Sequence, residues 1–206
     1  ETPAPTPGTP TETPEEPGTT TPAGEDDYLV WNMGVDPQTW DPTLNSAADG
    51  GHIIQNLFEG LTRETKDGIE PAAAETWDIT NEGKTYTFHL RDGMKWSDGQ
   101  PLTAKDFEYA WKRACDPATA SEYSFIVTNY LVNGDAYFKG EASRDDVGVK
   151  ALDDKTLEVN LNFPVPYFLS LTSFYTYAPV RQDIVEAKSE GWEKDPATCI
   201  SNGAFK

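Results

Sequence analysis

Apolar side chains recur along this chain with two periods, and each change of period marks a new element. The run LVWNMG, residues 29–34, reads as a first strand ending at Gly34, and Asp41-Pro42 closes the loop after it. Ile53, Ile54, Leu57, Phe58 and Leu61 then return at helical spacing, with Gly60 as the stop signal. Tyr86, Phe88 and Leu90 alternate with Thr87, His89 and Arg91, the period of a half-buried strand. Val147 to Leu152 and Leu157, Val159 and Leu161 flank Asp153-Asp154-Lys155, which predicts a hairpin. Val165 to Leu171 is apolar and aromatic, and residues 182–190 pattern as a surface helix. Locally joined strand pairs with helices scattered between them give an α+β fold rather than a regular βαβ winding.

The richest block is DGMKWSDGQPLTAKDFEYAWKR, from Asp92 to Arg113. Ser97-Asp98-Gly99-Gln100-Pro101 carries turn chemistry, because Gly permits positive φ and Pro fixes φ where a strand cannot continue. Thr103 then reads as an N-cap with Asp106 three residues on, and Phe107, Ala110, Trp111 and Ala114 follow at helical spacing. Lys112 and Arg113 suit the negative end of that helix. Trp96, Phe107 and Trp111 are expected to join turn and helix in one small core.

Composition separates the first 27 residues from the rest. They hold seven prolines, eight threonines and seven acids, no Lys or Arg, and only Ala4 and Ala23 as apolar side chains. So little apolar surface cannot offset chain entropy, which predicts a disordered, partly polyproline spacer holding a domain away from a surface. The whole chain has 206 residues, 37% of them hydrophobic and 12% aromatic, enough for a sizeable core in one or two domains. Its net charge of −19 argues against nucleic acid or an anionic membrane as a partner. No run approaches the ~20 apolar residues of a membrane span.

Candidate chemistry is sparse. Cys115 and Cys199 form neither a CxxC pair nor a zinc-ligand spacing and read as unpaired, partly buried residues, although a disulfide between them stays open. His52 and His89 lie too far apart for a local metal motif, and His89 sits on the polar face of its strand. Carboxylates and tryptophans abound, yet no facing pair of acids stands out for glycoside hydrolysis, and turns, caps and solubility account for the acids. GxSxG, GxGxxG and P-loop patterns are absent. Asn202-Gly203 reads as a turn.

The landmarks nevertheless fall in a telling order: Trp40-Asp41-Pro42, NLFEGL, YTFHLRDGMKWSDGQPLTAKDFEYAWKR, DPATAS before Tyr123, VKALDDKTLEVNL, PVPYF, the APV ending at Val180, and NGAFK. Taken in series over residues 28–206, they resemble the bacterial extracytoplasmic oligopeptide-binding proteins of ABC importers, solute-binding protein family 5. The resemblance implies a periplasmic-binding-protein-like clamshell with an extra accessory domain, of which this chain is the N-terminal portion. The implied division is a linker over residues 1–27, the start of the main lobe over 28–59, the accessory α+β domain over 60–192, and a return to the main lobe over 193–206.

In such a clamshell the peptide is hydrogen-bonded like an added strand while its side chains occupy water-filled pockets, which gives broad specificity. Carried onto this sequence, the ligand-binding positions are Ser46, Ala47 and Ala48, offering backbone groups, and Tyr123. An acidic residue frequent at the position of Ser46 is missing, so no preference for basic ligand side chains follows. An amine-pairing aspartate would belong to a second lobe beyond Lys206, and this chain alone is expected to bind peptides poorly. The resemblance further implies no catalysis, no cofactor or metal, a monomer partnered by a peptide ligand and an ABC permease, and an extracytoplasmic place. That place is a lipid anchor on the outer face of a Gram-positive-like membrane, or the periplasm. Alternatives within the family are a dipeptide, nickel-chelate, haem or signalling-peptide receptor; outside it, a cell-wall adhesion module or a glycoside hydrolase.

Overall fold

The computed structural model describes residue 32 and residues 34–188 and 190–205. The Pro/Thr-rich segment and most of the strand expected over residues 29–34 lie outside the described residues, and its described members Asn32 and Gly34 are not in a strand. From Gly34 on, the order is α1 (Ala48–Leu57), β1 (Thr62–Thr65), β2 (Gly68–Pro71), β3 (Ala74–Thr80), β4 (Thr85–Leu90), α2 (Ala104–Ala114), α3 (Phe125–Thr128), α4 (Gly134–Phe138), β5 (Val149–Ala151), β6 (Thr156–Asn160), α5 (Phe168–Leu171) and α6 (Gln182–Ala187). Single 3-10 turns are interspersed, one of them at Tyr175–Tyr177.

A four-stranded antiparallel sheet in the order β3-β4-β6-β5 organises the core. Tyr86, Phe88 and Leu90 of β4 are buried and their neighbours only half so, as the alternation predicts. In the β5–β6 hairpin Val149 faces Val159 and Ala151 faces Leu157, while the Asp153 carboxylate accepts the Lys155 N–H at 2.8 Å to close the turn. One face of α2 packs on this hairpin.

Helix α2 starts where Thr103 and Asp106 place it. The Asp106 carboxylate accepts the Thr103 N–H at 2.8 Å and the Thr103 hydroxyl at 3.1 Å, so the shorter acid still reaches the cap. Before it, the Trp96 N–H donates to Gln100 O and the Gly99 N–H to Trp96 O, both at 2.8 Å, with Gly99 at φ +87. Trp96, Phe107 and Trp111 are all buried in one core. Trp111 binds α2 to the far side: its Nε1 donates to Tyr177 O at 2.8 Å, and its ring meets Tyr177 at 4.8 Å and Phe168 at 6.4 Å, both edge-on.

Two expectations need correction and two gain detail. Helix α1 starts at Ala48 and ends at Leu57, so Phe58 and Leu61 are buried beyond it rather than on it. Helix α6 stops at Ala187, short of residue 190. Lys112 and Arg113 lie in the last turn of α2 as expected, and both are buried there, paired with Glu108 at 2.6 Å and Asp41 at 2.8 Å. Asn202-Gly203 does more than turn the chain. Asn202 exchanges two hydrogen bonds with the Glu59 backbone, at 3.1 and 3.0 Å, and the Gly203 N–H donates to Leu57 O at 2.8 Å. A Cβ on Gly203 would lie 2.6 Å from the Leu57 carbonyl carbon, closer than side chains ever come.

Candidate functional site

The loop ahead of α1 is built around Asp41. Its carbonyl accepts the N–H groups of Leu44 and Asn45 at 3.1 and 2.9 Å. Its carboxylate, fully buried, accepts the Thr43 N–H at 2.9 Å, two Arg113 bonds at 2.9 and 2.8 Å, and Trp192 Nε1 at 2.9 Å. A buried carboxylate is costly unless every lone pair is used and a counter-charge is present, and both conditions hold here. Burial works against the Arg113 charge, but the facing Asp41 carboxylate more than offsets it and raises the guanidinium pKa further.

This frame fixes the segment where backbone recognition was expected. The Asn45 side chain is buried and donates to Ala47 O at 2.8 Å. Ser46 is half-buried, whereas Ala47 and Ala48 are exposed, and Ala47 is extended at φ −117, ψ 151 before the helix begins. The loop carrying Tyr123 is tied to the same frame, since Ser121 Oγ donates to Thr43 O at 2.6 Å.

Tyr175 sits between the two. Its ring stacks on Tyr123 at 6.3 Å and 21°, a Cβ on Gly51 of α1 would meet it at 3.1 Å, and Asn45 hydrogen-bonds its hydroxyl. Burial, aided by the neighbouring Tyr123, pushes the Tyr175 hydroxyl up to about 12, so it stays a neutral donor at any physiological pH. Ser46 to Ala48 and Tyr123 are thereby grouped around Asn45 and Tyr175, two residues that sequence reasoning had not singled out. The aromatic run Phe174-Tyr175-Thr176-Tyr177 was the available signal.

Tyr175 also lines a cleft of about 850 Å³ between the end of α1, β1 and α5. Phe58, Phe174 and Tyr175 supply its apolar wall, and Glu59, Arg63 and Asn202 its polar one. Tyr123 backs that wall through Phe174, at 5.9 Å, and Tyr175.

The remaining candidates lie elsewhere. His89 faces Asp78 across the exposed strand surface at 2.9 Å, and His52 is exposed on α1. Among the described residues, no three His, Cys, Asp or Glu side chains group as a metal site, and no helix is long and apolar enough to cross a membrane. Cys115 and Cys199 are free thiols. Burial pushes Cys115 up to about 12 and raises Cys199 as well. Iodoacetamide at pH 8 is therefore expected to modify Cys199 slowly and Cys115 only after unfolding, because the thiolate is the nucleophile. Mass spectrometry finding native Cys115 labelled as fast as a free thiol would contradict this burial.

Several known proteins are similar to this chain. The chain is 46% identical over 177 residues to the oligopeptide-binding protein OppA of Bacillus subtilis, covering 85% of this chain and 32% of that protein. It is 41% identical over 187 residues to the probable deoxycholate-binding periplasmic protein YgiS of Escherichia coli, 90% of this chain and 35% of the relative. Among solved structures, Haemophilus influenzae OppA in complex with the peptide RPPGFSPFR superposes with a TM-score of 0.80 at 38% identity, covering 85% of this chain and 34% of that one. The chain thus spans about a third of the length of the relatives it matches, which are solute-binding proteins rather than enzymes. Its mixed α/β architecture is that of the periplasmic-binding-protein-like oligopeptide-binding structures. Residues 68–206 match the model of the bacterial extracellular solute-binding proteins, family 5 Middle, and the chain belongs to that family.

Proposed function

We propose that this chain forms part of the substrate-binding component of an ABC importer, which captures oligopeptides outside the cytoplasmic membrane and hands them to the permease without covalent chemistry. The observation that carries this reading is the match to a structure solved with a nonapeptide bound, over 85% of this chain. Ser46, Ala47 and Ala48 would offer the peptide a strand-like edge, Ala47 being extended and exposed, and Tyr123 would flank it. Main-chain pairing with roomy surroundings accepts many sequences. The same reading gives a protein that works as a monomer, without cofactor or metal, held outside the cell by a lipid anchor or free in a periplasm.

The lobe division fits this role. Residues 28–59 and 193–206 would belong to the main lobe and residues 60–192 to the accessory domain. Supporting it, Asn202 and Gly203 hydrogen-bond to Glu59 and Leu57, so the two ends of the intervening stretch are adjacent.

A second reading follows from the relative named for deoxycholate, whose ligand is an amphipathic steroid acid. Calorimetric titration of the natural full-length protein with di- to pentapeptides and with deoxycholate separates the two. Saturable peptide binding is expected, weakened about tenfold, or ~1.4 kcal/mol, by Tyr123→Ala. Saturation by deoxycholate with no heat from any peptide would replace the peptide reading with the steroid one.

A further inference from the structure

Phe125 opens α3 and is 52% exposed, although it stands two residues from Tyr123. Single exposed apolar side chains are ordinary. This one differs because it continues a cluster: its ring meets Tyr123 edge-on at 5.8 Å and 79°, Tyr123 lies against Phe174 at 5.9 Å and Tyr175 at 6.3 Å, and those two rings are 4.2 Å apart. The inner members are held by packing, while the outer one presents bare ring surface. Such a shelf offers bare apolar area and aromatic faces, so it rewards a ring or large aliphatic group laid against it.

From this geometry we infer that Phe125 is a specificity-determining residue, forming with Tyr123 the wall that accepts one aromatic or large aliphatic side chain of a bound peptide. The inference rests on the peptide-binding reading above. It adds a preference that main-chain pairing alone cannot supply, because backbone hydrogen bonds are blind to side chains.

The test uses the natural full-length protein, tetra-alanine, and the four peptides in which one alanine becomes phenylalanine, titrated by calorimetry. One phenylalanine position is expected to bind about tenfold more tightly than tetra-alanine, ~1.4 kcal/mol. With Phe125→Ser the ratio of those two affinities should fall below about threefold, and Phe125→Leu should restore most of it, since an aliphatic wall still buries the ligand ring. An unchanged ratio in Phe125→Ser, or no preferred position in the unaltered protein, overturns this inference alone. Failure of all five peptides to bind the unaltered protein overturns the peptide reading and this inference with it.

Discussion

Replacing Asp41 with Ala is expected to destabilise the protein by about 3–5 kcal/mol, the cost of stranding a buried charge. Arg113 would keep its guanidinium in a site where its side chain is only 9% exposed, without its hydrogen-bonded carboxylate and with Glu193 as the remaining neighbouring acid. Trp192 Nε1 and the Thr43 N–H would lose their acceptor at the same moment. Each orphaned buried donor adds about 1–3 kcal/mol before the loop relaxes or water enters. The converse experiment separates the charge from the site: in Asp41→Leu with Arg113→Met the desolvation penalty disappears along with the attraction. The double variant is expected to recover most of the loss, because well-packed apolar replacements of buried pairs are often close to neutral. Urea unfolding of the parent, Asp41→Leu, Arg113→Met and the double variant gives the cycle, with Asp41→Ala measured beside them. A midpoint for Asp41→Ala within the equivalent of about 1 kcal/mol of the parent would mean that water already solvates the pair.

Trp111→Ala is expected to cost about 3–5 kcal/mol, the range for deleting a buried aromatic ring. Trp111 is fully buried and touches both the ring and the carbonyl of Tyr177, so its loss opens a cavity where α2 meets α5 and the Tyr175–Tyr177 turn. Trp111→Phe isolates the hydrogen bond. It keeps most of the ring but leaves Tyr177 O without the indole donor, for an expected loss of about 1–3 kcal/mol. A loss under about 1 kcal/mol for Trp111→Ala in denaturant unfolding would place this ring outside the cooperative core.

These two sites also show where the sequence speaks and where it is silent. Trp111 was legible because its partners on α2 follow at helical spacing and the Thr103–Asp106 cap is four residues long. The β4 alternation and the β5–β6 turn were legible for the same reason, since each is a local pattern with one face buried. Asp41 was not legible: its ion-pair partner lies 72 residues away and its indole donor 151, and nothing in the spacing encodes either. The β1–β2 hairpin went unread because it buries almost nothing beyond Thr62, so period-2 burial never imprints on its side chains, and only Lys66-Asp67-Gly68 marked its turn. Helix α1 begins five residues ahead of Ile53 because Gly50 and Gly51, poor helix formers, are there for close packing under Asn45 and Tyr175.

Of the candidate site, the family resemblance supplied Ser46, Ala47, Ala48 and Tyr123. What groups them is tertiary: Asn45 and Tyr175 are 130 residues apart in sequence, and only the folded chain puts the amide beside the phenol.

The clasp of Asn202 and Gly203 on Glu59 and Leu57 joins positions 143 residues apart through the Asn202 side chain, with the Gly203 N–H on Leu57 O beside it. A chain that departs and returns through one such gate can have the stretch in between exchanged for a relative's, provided the replacement supplies the Arg113 and Trp192 partners of Asp41, because the two cut ends already lie within a short linker's reach. The clasp is thus a natural splice point, at which chimaeras between relatives can be joined with a few residues on each side.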